Sequence, residues 1–121
     1  HATTGTTRPV GLTVDAPSPE MLAFKGKFYQ AYKYFSDHNG IKGYMGVYSM
    51  KAAIEKVGKL DRKAVANAMH GLVIHKAKVP GIIMDVRFDD KGDIDRDSFL
   101  VEVKGGKQVV VSTLPPLQAI K

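Results

Sequence analysis

From Pro19 the chain reads PEMLAFKGKFYQAYKYF, and Met21, Phe24, Phe28, Tyr32 and Phe35 recur at steps of three and four. That is the period of an amphipathic helix. Pro19 and Glu20 suit its first turn, and DHNG at 37–40 is expected to end it. A second stripe follows in Tyr44, Val47, Met50, Ile54 and Val57, with Lys51, Glu55 and Lys56 away from it and Gly58 as the stop. Asp61 is placed to cap a third helix, whose inner face reads Ala64, Val65, Ala68, Met69 and Leu72.

On either side of these helices the pattern is extended. PVGLTV at 9–14 is a short β-favouring run closed by the turn cluster DAPSP, and residues 1–9 as a whole read as a flexible, Thr-rich lead-in. After the helices, GIIMDVRF is extended and DDKGD is a turn. SFLVEVKGGKQVVVSTL then gives two β-runs joined by Gly105-Gly106, the two-residue loop of a tight hairpin, and Pro115 and Pro116 stop the second run. One hairpin with an isolated strand or two is a poor sheet for three amphipathic helices to pack upon. The pattern therefore predicts part of a larger α/β fold.

Composition narrows this further. At 121 residues and 44% hydrophobic the chain can bury a core, which excludes general disorder. Eighteen Lys and Arg against twelve Asp and Glu leave a net charge of +6, but the lysines are spread from Lys25 to Lys121 through every segment. A scattered charge reads as a solvated surface; a gathered one would suit nucleic acid. There is no cysteine, so neither a disulfide nor a thiolate metal site can form. No run approaches the ~18 consecutive apolar residues of a membrane-spanning helix. The N-terminal HATTGTTRPVG lacks the layout of a signal peptide, and its first residue is His, which points to a processed end, a tag remnant or an internal cut.

Candidate chemistry is sparse. His70 and His75 are five apart, which does not put both imidazoles on one helical face, and the other histidines are remote in sequence. DDKGDIDRD sets Asp93, Asp95 and Asp97 at alternate positions, yet a calcium loop counted from Asp93 finds Ser98 where Gly is needed and Lys104 where Glu is needed. A solvated turn is the simpler account. No serine sits in a G-x-S-x-G elbow, no carboxylate pair interrupts an apolar face, and KGGK is a hairpin tip and not a phosphate loop. Neither an enzyme, a metal nor a cofactor is expected. The crowded rings Phe28, Tyr29, Tyr32, Tyr34 and Phe35 read as core or helix-flank residues. Tyr44 stands apart: it follows a glycine at the expected start of its helix, where free N–H groups and the positive dipole end would gather.

The order of these pieces is familiar. An aromatic-rich helix, then GYMGVYSMKAAIEKVGKLDRKAVANAM, then FDDKGDIDRDSFLVEVKGGKQVVV, resembles the C-terminal part of the periplasmic solute-binding proteins that serve ABC transporters of the branched-chain amino acid type, over residues 10–114. The resemblance implies a fragment of the two-lobe type I periplasmic-binding-protein fold, with three helices followed by a C-terminal β-hairpin. On that basis residues 10–88 are a crossover strand and the end of the first lobe, and residues 89–121 are the final turn and the hairpin of the second lobe.

It also implies a role. The intact protein would be periplasmic, would capture a small amino acid or small aromatic acid by lobe closure, and would deliver it to the membrane subunits of an ABC transporter. In the family the residue matching Tyr44 lies at the cleft, where its ring packs on the ligand, with Met45 beside it. Here Met45-Gly46 replaces the usual Asp or Ala after the Tyr, which leaves the ligand class open. The fragment alone would bind ligand poorly and would self-associate or swap elements. The alternative from a different class is a freestanding basic α+β module that binds nucleic acid, with affinity falling steeply in salt.

Overall fold

The structure, a computed structural model, describes residues 4–121; residues 1–3 of the expected lead-in lie outside it. Three helices and six strands follow in the order β1 (Thr7–Val10), α1 (Pro19–Tyr32), α2 (His38–Val57), α3 (Arg62–Met69), β2 (Val73–Ile74), β3 (Val86–Phe88), β4 (Ile94–Arg96), β5 (Ser98–Lys104) and β6 (Lys107–Leu114). The chain divides into two compact units. One takes in residues up to Lys42 together with Asp97–Pro115, and the other Gly43–Arg96 together with Pro116–Lys121, so the boundary falls three times, within α2, between β4 and β5 and just after β6.

In the first unit β1, β5 and β6 form an antiparallel sheet with β5 in the centre. The hairpin forms where the glycine pair predicts it. Gly105 and Gly106 have φ of 55° and 75°, the left-handed pair that matches the twist of the strands they join and that side chains resist. Phe99 and Val101 alternate inward from β5 and are buried. Between Leu100 and Val101 the register slips, because Leu100 pairs Ser112 and Val101 pairs Val110, leaving Val111 without a partner. β1 starts at Thr7, inside the stretch expected to be a loose lead-in, and stops at Val10; Gly11–Val14 does not continue it. Its ladder from Thr7↔Glu102 to Val10↔Phe99 holds it in place.

Helix α1 begins as its sequence requires. Ser18 Oγ accepts from the Met21 N–H at 3.2 Å and Pro19 occupies the first turn. Met21 and Phe24 are buried, each such side chain contributing about 1.5–3 kcal/mol. The helix ends earlier than the stripe predicts. Lys33 turns left-handed at φ 62°, its N–H bonding the Tyr29 carbonyl at 2.8 Å. DHNG then starts the next helix and does not close this one. Asp37 Oδ1 accepts from the N–H groups of Asn39 and Gly40 at 3.0 and 3.1 Å, satisfying donors at the head of α2. The ring cluster is correspondingly exposed. Tyr29, Tyr32, Tyr34 and Phe35 all face solvent, with Phe28 half-buried. They pack on one another, Tyr29 stacked on Phe35 at 4.8 Å and Phe28 edge-on to Tyr34 at 5.4 Å, so the core expected from them is formed by Met21 and Phe24 alone on this helix.

In the second unit β2, β3 and β4 make a smaller antiparallel sheet, with Ile74↔Val86 and Phe88↔Ile94 among its pairs. The turn at 89–93 is closed by the Asp89 N–H on the Asp93 carbonyl at 2.9 Å. Asp61 caps α3 as expected, its carboxylate accepting from the Ala64 N–H at 2.9 Å, and Val65 and Leu72 from the inner face are buried. Gly58 ends α2 at φ 77°. The face of α2 differs from its prediction. Ile41, Met45, Ser49 and Ala53 are the buried line, whereas Val47 is 70% exposed and Met50 50%. A serine within the buried line hid it from a hydrophobicity reading. Its hydroxyl donates to the Met45 carbonyl at 2.9 Å, which satisfies it inside the helix at little cost.

Candidate functional site

Because α2 starts at His38, Tyr44 lies nearly two turns inside the helix. The free N–H groups at the mouth belong to residues before it, and Asp37 already serves two of them. The expectation that Tyr44 stands at the positive end of the helix dipole is therefore corrected: backbone donors at the mouth do not reach it, since the dipole effect fades within the first turn.

What Tyr44 offers is its side chain. It is 36% exposed, and its ring lies 5.2 Å from that of Tyr48 at an angle of 52°. Residues four apart share a helix face, which brings the two rings together. Burial, and then a side-chain hydrogen bond with Tyr48, hold the Tyr44 phenol above its ordinary range. The half-buried Tyr48 in turn sits directly over Gly81, where φ is +98° and a Cβ would collide with the Tyr48 ring. Met45 faces elsewhere. Consecutive helical residues diverge by ~100° around the axis, and Met45 is 5% exposed. Of the two predicted site residues, the structure presents Tyr44 at the surface and turns Met45 inward. Tyr48 and Gly81 were not singled out from sequence; the i, i+4 spacing of the two tyrosines was a readable signal for the first, whereas nothing local pointed to Gly81.

Two hollows lie elsewhere in the same unit. A groove of about 390 Å³ runs beside Met50, Ile54, Leu60, Val65 and Met69. It is apolar, and it is where the outward residues of α2 meet α3. A second, of about 510 Å³, is lined by Arg87, Asp89, Asp93, Asp95, Leu117 and Gln118. Its carboxylates are structurally engaged. Asp95 accepts from Arg87 Nη2 at 2.7 Å and from the N–H groups of Leu117 and Gln118 at 2.8 and 3.1 Å. Asp89 Oδ1 accepts from the Lys91 and Asp93 N–H groups, both at 2.8 Å. Arg87 above all keeps the Asp95 carboxyl below the usual carboxylate range, and the Asp93 N–H does the same for Asp89. The alternating aspartates thus build a turn, and among the described residues no group of His, Asp and Glu is disposed to hold a metal ion.

Three helices and two small antiparallel sheets in this order make a partial type I periplasmic-binding-protein fold, as comparison with solved structures shows. The sequence model of the periplasmic binding protein family matches residues 1–108, and the chain belongs to that family. Solved structures with the same fold include an ABC-transporter solute-binding protein from Rhodopseudomonas palustris BisB5 in complex with 3,4-dihydroxybenzoic acid, at TM-score 0.75 and 18% identity over 95% of this chain. Another from R. palustris, in complex with benzoate, matches at TM-score 0.74 and 22% identity over 96%. A leucine-binding protein from Thermotoga maritima matches at TM-score 0.73 and 19% identity over 93%. The chain spans about a third of the length of these proteins, 32%, 32% and 31% respectively. No curated protein matches it.

Proposed function

We propose that this chain serves in the solute-binding component of an ABC transporter, outside the cytoplasm, where the protein containing it captures a small amino acid or small aromatic acid and hands it to membrane subunits. The observation that carries the reading is the family match across residues 1–108. Solved relatives of the same fold that bind benzoate, dihydroxybenzoate and leucine support the two solute classes. The role is binding and not catalysis. In this reading residues 10–88 include a crossover strand and the end of one lobe, and residues 89–121 the final turn and hairpin of the other. Tyr44 meets the solute with its ring, and the buried Met45 backs the same turn of α2.

Isothermal titration with leucine and with benzoate as probes tests this on the protein carrying these residues. One probe binds, and Tyr44→Ala weakens it about tenfold or more, the effect of removing a central aromatic contact. An affinity unchanged by Tyr44→Ala would overturn the site.

The reading also includes self-association of the 121-residue chain. Among the described strands β1 and β6 leave an edge unpaired, and β6 exposes Val109 and Val111. Light scattering should find a dimer or larger species at micromolar concentration; a monomer at all concentrations removes this element.

A further inference from the structure

We propose that Tyr48, seated on Gly81, is the positioning residue that fixes the ring of Tyr44. The inference rests on Tyr44 as a solute contact, and it assigns roles to two residues that the solute itself need not touch.

The geometry forms a chain of three supports. Gly81 follows Pro80 with φ +98°, a conformation that side chains rarely adopt, and it leaves its Cα bare. The Tyr48 ring fills that space so closely that any Cβ at position 81 would displace it. Tyr48 is half-buried, which leaves its ring few alternative rotamers. From there its side chain bonds that of Tyr44, and the rings lie 5.2 Å apart, tilted by 52°, within the favourable range for aromatic pairs. Tyr44 is the outermost of the three and the most exposed, so without Tyr48 its ring would be free to swing through several rotamers. A ring held in one orientation before the solute arrives loses less entropy on binding. Gly81 therefore acts on the solute site at two removes, by the seat it gives the Tyr48 ring.

The test follows the Tyr44 phenol directly. Tyrosine labelled at Cζ is observed by carbon NMR as pH is raised, the Tyr44 signal being the one lost in Tyr44→Phe. In Tyr48→Phe, which keeps the ring and removes the hydroxyl, the Tyr44 signal should titrate at lower pH than in the wild type. In Gly81→Ala the signal should also shift at neutral pH, because the neighbouring ring has moved. Where a probe binds, both variants should weaken it about two- to tenfold.

A Tyr44 signal that keeps its titration in Tyr48→Phe overturns the proposal, and Tyr48→Phe gives this answer even if Gly81→Ala fails to fold. The two ideas fail separately. A Tyr44 titration that moves in Tyr48→Phe while Tyr44→Ala leaves solute affinity intact would end the solute site and leave the coupling of the rings standing. The reverse pattern would end the positioning role alone.

Discussion

The two sheets of this molecule are built on different economies. In the β1–β5–β6 sheet the strands run four, seven and eight residues, and backbone pairing from Ser98↔Leu114 to Lys104↔Lys107 carries most of the order. In the β2–β3–β4 sheet they run two, three and three. So short a ladder leaves few backbone bonds, and carboxylates supply the remainder. Asp89 clamps the β3–β4 turn, Asp95 joins Arg87 to the backbone of Leu117 and Gln118, and Asp85 Oδ1 accepts from the Lys76 N–H at 2.8 Å. One sheet is fastened by groups that do not titrate, the other in good part by groups that do.

That contrast can be broken first through the cores. Phe99 on β5 and Ile74 on β2 are both nearly inaccessible, at 4% and 2% exposure. Phe99→Ala should cost about 3–5 kcal/mol and Ile74→Ala about 2–5 kcal/mol in urea unfolding. If Ile74→Ala is silent, the short sheet does not depend on its apolar side, and its polar fastenings carry it alone.

A smaller effect sharpens the difference between the sheets. Asp89 and Asp95 have carboxyls lowered from the ordinary 3.8 by their hydrogen bonds in the folded chain. A lowered carboxyl stabilises the fold at pH values above its unfolded range, and the contribution is lost as pH falls through the folded value. Amide exchange followed from neutral pH into the acid range should therefore show β3 and β4 losing protection before β5 and β6. Simultaneous loss in both sheets would show that the carboxylates are not the weaker link.

How much of this was legible in the sequence depended on whether local chemistry had one solution. Asp61, Gly58 and the Gly105-Gly106 pair each have a narrow local use, and each appears where expected. The face of α3 was legible because its apolar residues fall on one side. On α2 they fall on two, and the buried line was the one containing Ser49, whose hydroxyl is satisfied by a carbonyl of its own helix. DHNG could end a helix or begin one; Asp37 chose the second by bonding forward to Asn39 and Gly40. That choice moved the helix start upstream and took Tyr44 away from its mouth. The resemblance pointed to Tyr44 and Met45 together, whereas their different orientations follow only from the true face of α2. Gly81 lies 33 positions beyond Tyr48, and only the folded chain brings the two together.

The slip between Leu100 and Val101 carries a different kind of consequence. Since Val111 is opposed by no residue of β5, β6 holds one residue more than its partner needs. Deleting Val111 would make the ladder continuous, while Gln108 kept Val103 opposite it and Ser112 kept Leu100. The hairpin tip at Gly105-Gly106 would not move. This strand can therefore change length by one residue in the course of evolution at a single spot, and sequences differing there by a gap can share the same hairpin.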